Sequence, residues 1–258
     1  MSSRSRSRTR TRARSKSKNS PEDKASTISY VLYSLRALMN EDDIRARVLT
    51  TFLKQVPDIA IGKSFSYNYE LESLNAYLEE ILESPTRVLF TAANLTQKVG
   101  GETHYQTFVV DNTHKTLLMI DPSRNYATGK SVWDPKIAKK VVEPFFKEKG
   151  FTTEWLNTSA ACQVKQADVF CQSWSLYLQI QAILMRGEPI DIPVGQDEKY
   201  EILLDFYKKI LEDPHICGEL EYAYRAYVKD STKGPFNKML LKASPCAVIG
   251  TMTYKDMY

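Results

Sequence analysis

The chain has 258 residues, 43% of them hydrophobic and 11% aromatic, enough apolar surface for a substantial core in one large domain or two small ones. Its charge is unevenly placed: Met1 to Lys18 contains Arg4, Arg6, Arg8, Arg10, Arg12, Arg14, Lys16 and Lys18 and no acid, so the overall net charge of +4 leaves about −4 for residues 19–258. No apolar run approaches the length of a bilayer span and the N-terminus lacks the apolar segment of a signal peptide, so neither a membrane span nor secretion is expected and an intracellular, reducing setting is.

Residues 1–19 form a basic Arg/Ser tail. A strand built on its period-two alternation would carry like charges along one face and nothing apolar opposite, so the tail is expected to be disordered. Residues 4–18 suit a phosphate-binding arm for DNA or RNA, or equally a solvated tail. Ser20-Pro21-Glu22-Asp23 then supplies a cap residue, a first-turn proline and acids at the positive end of a helix dipole. Two helices are predicted from there to about Leu53, before Pro57. A third follows over Leu71, Leu74, Tyr77, Leu78 and Ile81, completing an N-terminal helical region at residues 20–84.

From residue 85 the pattern changes. "TRVLFTAA", "HYQTFVVD", "TLLMID" and "FTTEWLN" are short, rich in β-branched and aromatic residues and bounded by turn residues, so they read as strands, the middle two as a hairpin turning at Asn112 to Lys115. Asp134-Pro135 opens a helix in which Pro144 predicts a kink or an early stop and Gly150 an end. Cys171 to Met185 is helical with Gly187 at the C-cap, and further helices are predicted near 197–212, 215–228 and 235–242. Helices, then strands, then helices again make an α+β arrangement, with residues 85–258 as one domain.

The four cysteines, Cys162, Cys171, Cys217 and Cys246, have no C-x-x-C spacing, and the three histidines are scattered. Neither a zinc site nor a disulfide framework is expected, and without a Gly-rich phosphate loop no cofactor is implied. The informative stretch is "QADVFCQSWSLYL", which runs a polar turn into Cys171 at the start of an apolar helix. A thiol there lies beside unpaired backbone N–H groups at the positive dipole end, and both favour the thiolate. Taken alone it reads as an inert buried cysteine; a nearby base changes that.

His104 opens a strand after Gly100-Gly101, and the same hairpin returns to Asp121-Pro122, where an acid can orient the imidazole toward a thiol. His114 belongs to the hairpin tip, His215 to a late helix, Trp174 to the core and Asp168 to a loop. Cys162 is a redox bystander near the site.

The order His104, Asp121, Gln166, Cys171 resembles the adenain-like and SUMO-specific cysteine proteases. "DVFCQSWSL" is most similar to the maturation proteases of large cytoplasmic DNA viruses, the African swine fever virus type. The resemblance covers about residues 85–185. It implies a papain-like fold, with a mixed sheet carrying His and Asp packed on a central helix that starts at the Cys. It further implies Cys171 as nucleophile, His104 as base, Asp121 as orienting acid and Gln166 as oxyanion donor, with Gln163 the competing donor. The expected activity is a cysteine endopeptidase cutting after small, Gly-Gly-like residues in viral polyproteins, in the virion and host cytoplasm. The alternatives are a SUMO or ubiquitin deconjugase acting on host proteins, and an inactive protease-fold virion protein that binds nucleic acid through its tail.

Overall fold

The computed structural model describes residues 21–67, 71–94, 104–163, 169–186, 188–232 and 234–258. The basic tail, the Ser20 cap and the Gly187 C-cap of the sequence reading lie outside them. The chain is α+β, as its pattern of elements predicts.

Helices α1 (Pro21–Leu38) and α2 (Asp42–Leu53) precede strand β1 (Ile59–Tyr67), and α3 (Leu71–Glu83) leads into β2 (Arg87–Asn94), β3 (His104–Asp111) and β4 (Thr116–Ile120). After the small β5–β6 hairpin (Arg124–Asn125, Lys130–Ser131) come α4 (Glu143–Glu148) and β7 (Thr152–Trp155). Helices α5 (Cys171–Leu184), α6 (Gln196–Ile210), α7 (Pro214–Ser231), α8 (Gly234–Leu240) and α9 (Pro245–Thr251) complete the order. No helix among the described residues is long and apolar enough to cross a membrane.

The main sheet has the order β1-β2-β3-β4-β7. Its inner pairs β2–β3 and β3–β4 are antiparallel, and β1 and β7 are added in parallel at the two edges. Both faces of the central strands are buried, and successive side chains divide between them with the period of two that a strand imposes. Val88, Phe90, Phe108, Val110, Leu117 and Met119 join one core with α3 and α4. Leu89, Val109 and Ile120 point the other way, into the larger core built on α1, α2, α5, α6 and α7. Helix α5 is buried almost all round, which explains why its sequence is apolar on nearly every side.

Beyond the short β5–β6 hairpin, which the sequence does not announce, four features differ from the sequence reading. Strand β1 was not predicted: its Ile59 and Ile61 alternate, but the register shifts between Ile61 and Ser64, so the apolar period breaks off. Pro144 does not stop its helix. It follows a π-helical turn, Ala138–Val142, in which the Glu143 amide reaches back to the Ala138 carbonyl. The wider turn accommodates a residue that has no N–H and crowds the preceding turn. Gly150, at φ +81°, then ends the helix as expected.

Helix α9 was also missed, being only Pro245–Thr251. With it came the fourth difference: Cys217 and Cys246 form a disulfide, Cα atoms 6.0 Å apart, where the sequence reading expected none. Twenty-nine residues separate them, and only the packing of α9 on α7 brings the two together.

Candidate active site

Strand pairing places an acid and a histidine on one sheet face. Thr107 pairs with Ile120, so Asp121, just beyond the end of β4, falls opposite Gln106 and diagonal to His104. His104, Gln106, Phe108 and Met119 share a face by parity, and Asp121 continues it. The result is a hydrogen bond of 2.8 Å between His104 Nε2 and Asp121 Oδ1.

Asp121 is held from several sides. Its Oδ1 also accepts from the Ser123 amide at 2.9 Å and the Ser123 hydroxyl at 2.8 Å, and its Oδ2 accepts from Gln106 Nε2 at 3.4 Å. Gln106 is fixed in turn, its Oε1 accepting from the Ala138 amide at 3.3 Å. Burial would raise the Asp121 pKa, but the bond to His104 and the Ser123 donors outweigh it, and the pKa falls below the ordinary value. A carboxylate fixed in this way orients the imidazole and keeps the Nε2 proton directed at itself.

Helix α5 brings Cys171 to the same place. The Ser175 hydroxyl donates to the Tyr105 carbonyl at 3.0 Å, and the Thr107 hydroxyl donates to the Ser175 carbonyl at 3.3 Å. Cys171 lies one turn earlier, at the start of β3, beside His104. The first helical hydrogen bond runs from the Trp174 amide to the Phe170 carbonyl, so the residue 171–173 amides precede the helical ladder. Those amides give the positive end of α5 its anion-favouring character.

His104 and Cys171 are coupled electrostatically. Burial lowers the imidazole pKa, yet the Asp121 bond and the hydrogen bonding and charge of Cys171 prevail, pushing it up to about 9. Nδ1 is buried and makes no hydrogen bond of standard geometry among the described residues. With Nε2 engaged by Asp121, Nδ1 is the nitrogen left for the thiol proton. The Cys171 sulfur also lies 3.6 Å from Gln172 Oε1.

The amino-acid sequence alone did not point to Trp133, which stacks on the imidazole at a centroid separation of 5.9 Å with planes 17° apart. Nor did it point to Gln106 or Ser123. Ser123 had a usable signal, since a serine two residues after a strand-end aspartate commonly closes an Asx turn. Trp133 had none: the loop after β6 is closed over the site by the Val132 amide, which donates to the Ser123 carbonyl at 3.2 Å, and by the Trp133 amide, which donates to the Ser123 hydroxyl at 3.4 Å.

The similarity to known proteins is confined to shape. No family model and no curated protein matches the chain. Among solved structures, ChlaDub1 from Chlamydia trachomatis is 13% identical with a TM-score of 0.47, over 75% of this chain and 93% of that one. The Legionella pneumophila effector protein RavZ is 14% identical with a TM-score of 0.41, over 74% and 67% of the two chains. Likeness at this level leaves the chemistry to the residues themselves.

The remaining candidates divide clearly. Gln166 and Asp168 lie outside the described residues, as do Gly100 and Gly101. Gln163 is buried, and its backbone N–H donates to the Pro122 carbonyl at 2.9 Å, tying the segment before α5 to the end of β4. His114 is exposed at the hairpin tip and pairs with Asp111 at 2.9 Å, and His215 sits in the first turn of α7 with its amide on Asp213. Trp174 is wholly buried and Cys162 is a buried thiol. Among the described residues no group of His, Cys, Asp or Glu is arranged to hold a metal ion.

Proposed function

We propose that the chain is a cysteine peptidase of the adenain and SUMO-protease type, with a papain-like fold and Cys171 as its nucleophile. The observation that carries this reading is His104, fixed by a buried carboxylate on one nitrogen and electrostatically coupled to a helix-start thiol. In the proposed reaction His104 Nδ1 takes the Cys171 proton and the thiolate attacks the scissile carbonyl carbon. The carbonyl π electrons move onto oxygen, and the Cys171 backbone N–H and Gln166 stabilise that charge. Collapse of the intermediate expels the amine, which takes the proton from His104. Water, deprotonated by His104, then displaces the thiolate and releases the acid. Asp121 keeps the imidazole oriented and favours its charged form.

The resemblance around Cys171 favours a viral maturation endopeptidase that cuts polyproteins after small residues. Deconjugation of SUMO or ubiquitin from host proteins is the alternative within the same chemistry. A vinyl-sulfone probe carrying a Gly-Gly peptide tests the chemistry, and a second probe built on a SUMO tail separates the substrates. The expected outcome is a stoichiometric adduct at Cys171, absent from Cys171→Ala and slowed in His104→Ala. An unlabelled wild-type chain that is folded and reduced would overturn the reading and favour an inactive protease-fold protein.

A further inference from the structure

An open cavity of about 570 Å³ lies between α1, residues 169 and 170, the first residue of α6 and the C-terminal turn Tyr254–Met257. One wall is Val169 and Phe170, the two residues immediately before Cys171. Cys171 itself does not line the cavity, so the groove is joined to the candidate nucleophile through this short stretch of chain. Its surfaces mix apolar and polar groups, with Tyr33 49% and Val169 39% exposed.

The polar groups in the lining are unequal. Asp256 is already engaged, accepting from the Thr253 amide at 2.9 Å and the Thr253 hydroxyl at 3.1 Å and pairing with Lys24 at 3.5 Å. The Tyr258 hydroxyl is taken by Asp197. Arg36 and Gln196 make no side-chain hydrogen bond among the described residues. The Arg36 guanidinium lies 6.0 Å from the centre of the Phe170 ring, and its Nε is buried without a hydrogen-bond partner among the described residues. Both amide atoms of Gln196 are likewise buried and unpartnered. A lone guanidinium suits a carboxylate, and a side-chain amide with donor and acceptor both unused suits a peptide group, which offers one of each.

We infer that this groove is a substrate subsite that takes a polypeptide segment carrying an acidic side chain, with Arg36 reading the carboxylate and Gln196 the main chain. The inference deepens the peptidase reading and rests on it for the role of Cys171. Charge argues against the chain's own basic tail as occupant. Among the lining side chains, Arg36 and Lys255 face a single acid, Asp256, which is paired with Lys24, whereas Met1 to Lys18 carries only cations.

The test is an immobilised peptide array, with acidic, basic or uncharged residues at each position, probed with full-length protein carrying Cys171→Ala so that binding is read without turnover. The same protein with Arg36→Gln, which keeps the packing stem, or with Arg36→Glu is compared with it. Cys171→Ala protein is expected to retain acidic peptides at least tenfold over uncharged ones. Arg36→Gln should abolish that preference, and Arg36→Glu should reverse it toward basic peptides. Equal selectivity in all three proteins, or no peptide retained, would overturn the inference; should Arg36→Glu not fold, Arg36→Gln decides. Mass spectrometry of the retained peptides after exposure to the wild-type chain scores the peptidase reading separately. Charge-dependent retention without cleavage sinks that reading and leaves the groove as a docking site, whereas cleavage without charge selectivity sinks the groove alone.

Discussion

The indole of Trp133 lies across the imidazole of His104, their ring centres 5.9 Å apart and their planes within 17° of parallel. It shields one face of the ring that bonds to Asp121, and water excluded there strengthens that bond. Trp133→Ala is expected to lower kcat by about tenfold, the size of one aromatic contact of up to about 1.5 kcal/mol, with a smaller effect on KM. Trp133→Phe should restore most of the loss. Steady-state kinetics on a peptide substrate checks this, and unchanged kcat in the alanine variant would make the stack incidental.

The raised pKa of His104 predicts an alkaline limit. The imidazolium must protonate the leaving amine, so activity should fall as pH passes about 9, where His104 loses its proton. The same shift bears on stability. A histidine whose folded pKa lies above the ordinary 6.5 contributes stability fully below about pH 6.5 and loses it as pH rises through about 9. Asp121, depressed in the folded state, contributes above its ordinary pKa of about 4 and loses that contribution as the pH falls through the folded value. In Asp121→Asn only Cys171 is left to oppose burial at the ring, so the alkaline limb should move below pH 9, with turnover reduced by up to about 10⁴. A pH–rate profile of both proteins measures it; an unmoved limb would detach the limb from His104.

The oxyanion assignment separates Gln166 from Gln163. Gln166→Ala should reduce turnover by roughly 100-fold or more while leaving the melting temperature nearly unchanged. The Gln163 side chain is buried, and its backbone bond to Pro122 survives substitution, so Gln163→Ala should act mainly on stability through the packed volume it removes. Kinetics and thermal melts of the two variants decide, and the reverse pattern would move the oxyanion role to Gln163.

The Cys217–Cys246 bridge closes a loop of about 29 residues, for which the loss of unfolded-state freedom corresponds to about 3 to 4 kcal/mol. The double variant Cys217→Ser, Cys246→Ser should therefore melt several degrees lower under non-reducing conditions. Differential scanning calorimetry tests it, and identical melting would show the bridge to be open in solution.

The basic tail should act apart from the catalytic residues. Deleting Met1 to Lys18 removes eight cations from a chain whose remainder carries about −4, so DNA affinity at low salt should drop sharply and its salt dependence flatten. Cleavage of a short peptide should stay nearly intact. A salt titration beside a peptide assay reads both, and equal DNA affinity in the two proteins would remove the arm from any role in binding.

The amino-acid sequence by itself determined the local elements and the ends of the site. Apolar spacing marks α1, α2, α3 and α5, and the β-branched runs mark β2, β3 and β4, because these segments each bury one face or both. A run of apolar residues beginning at Cys171 places that thiol at a helix start, and the hairpin turn places His104 and Asp121 at the same end of neighbouring strands. What joins them was decided elsewhere. The strand register puts both side chains on one face, and the seating of Ser175 on Tyr105 sets Cys171 beside His104. Trp133 over the imidazole, Gln106 on Asp121, the edge strand β1 and the Cys217–Cys246 bridge are contacts between segments distant in the chain. Each depends on packing that no local period encodes: a strand's alternation says which side chains share a face, but only the assembled sheet and helices settle what that face meets.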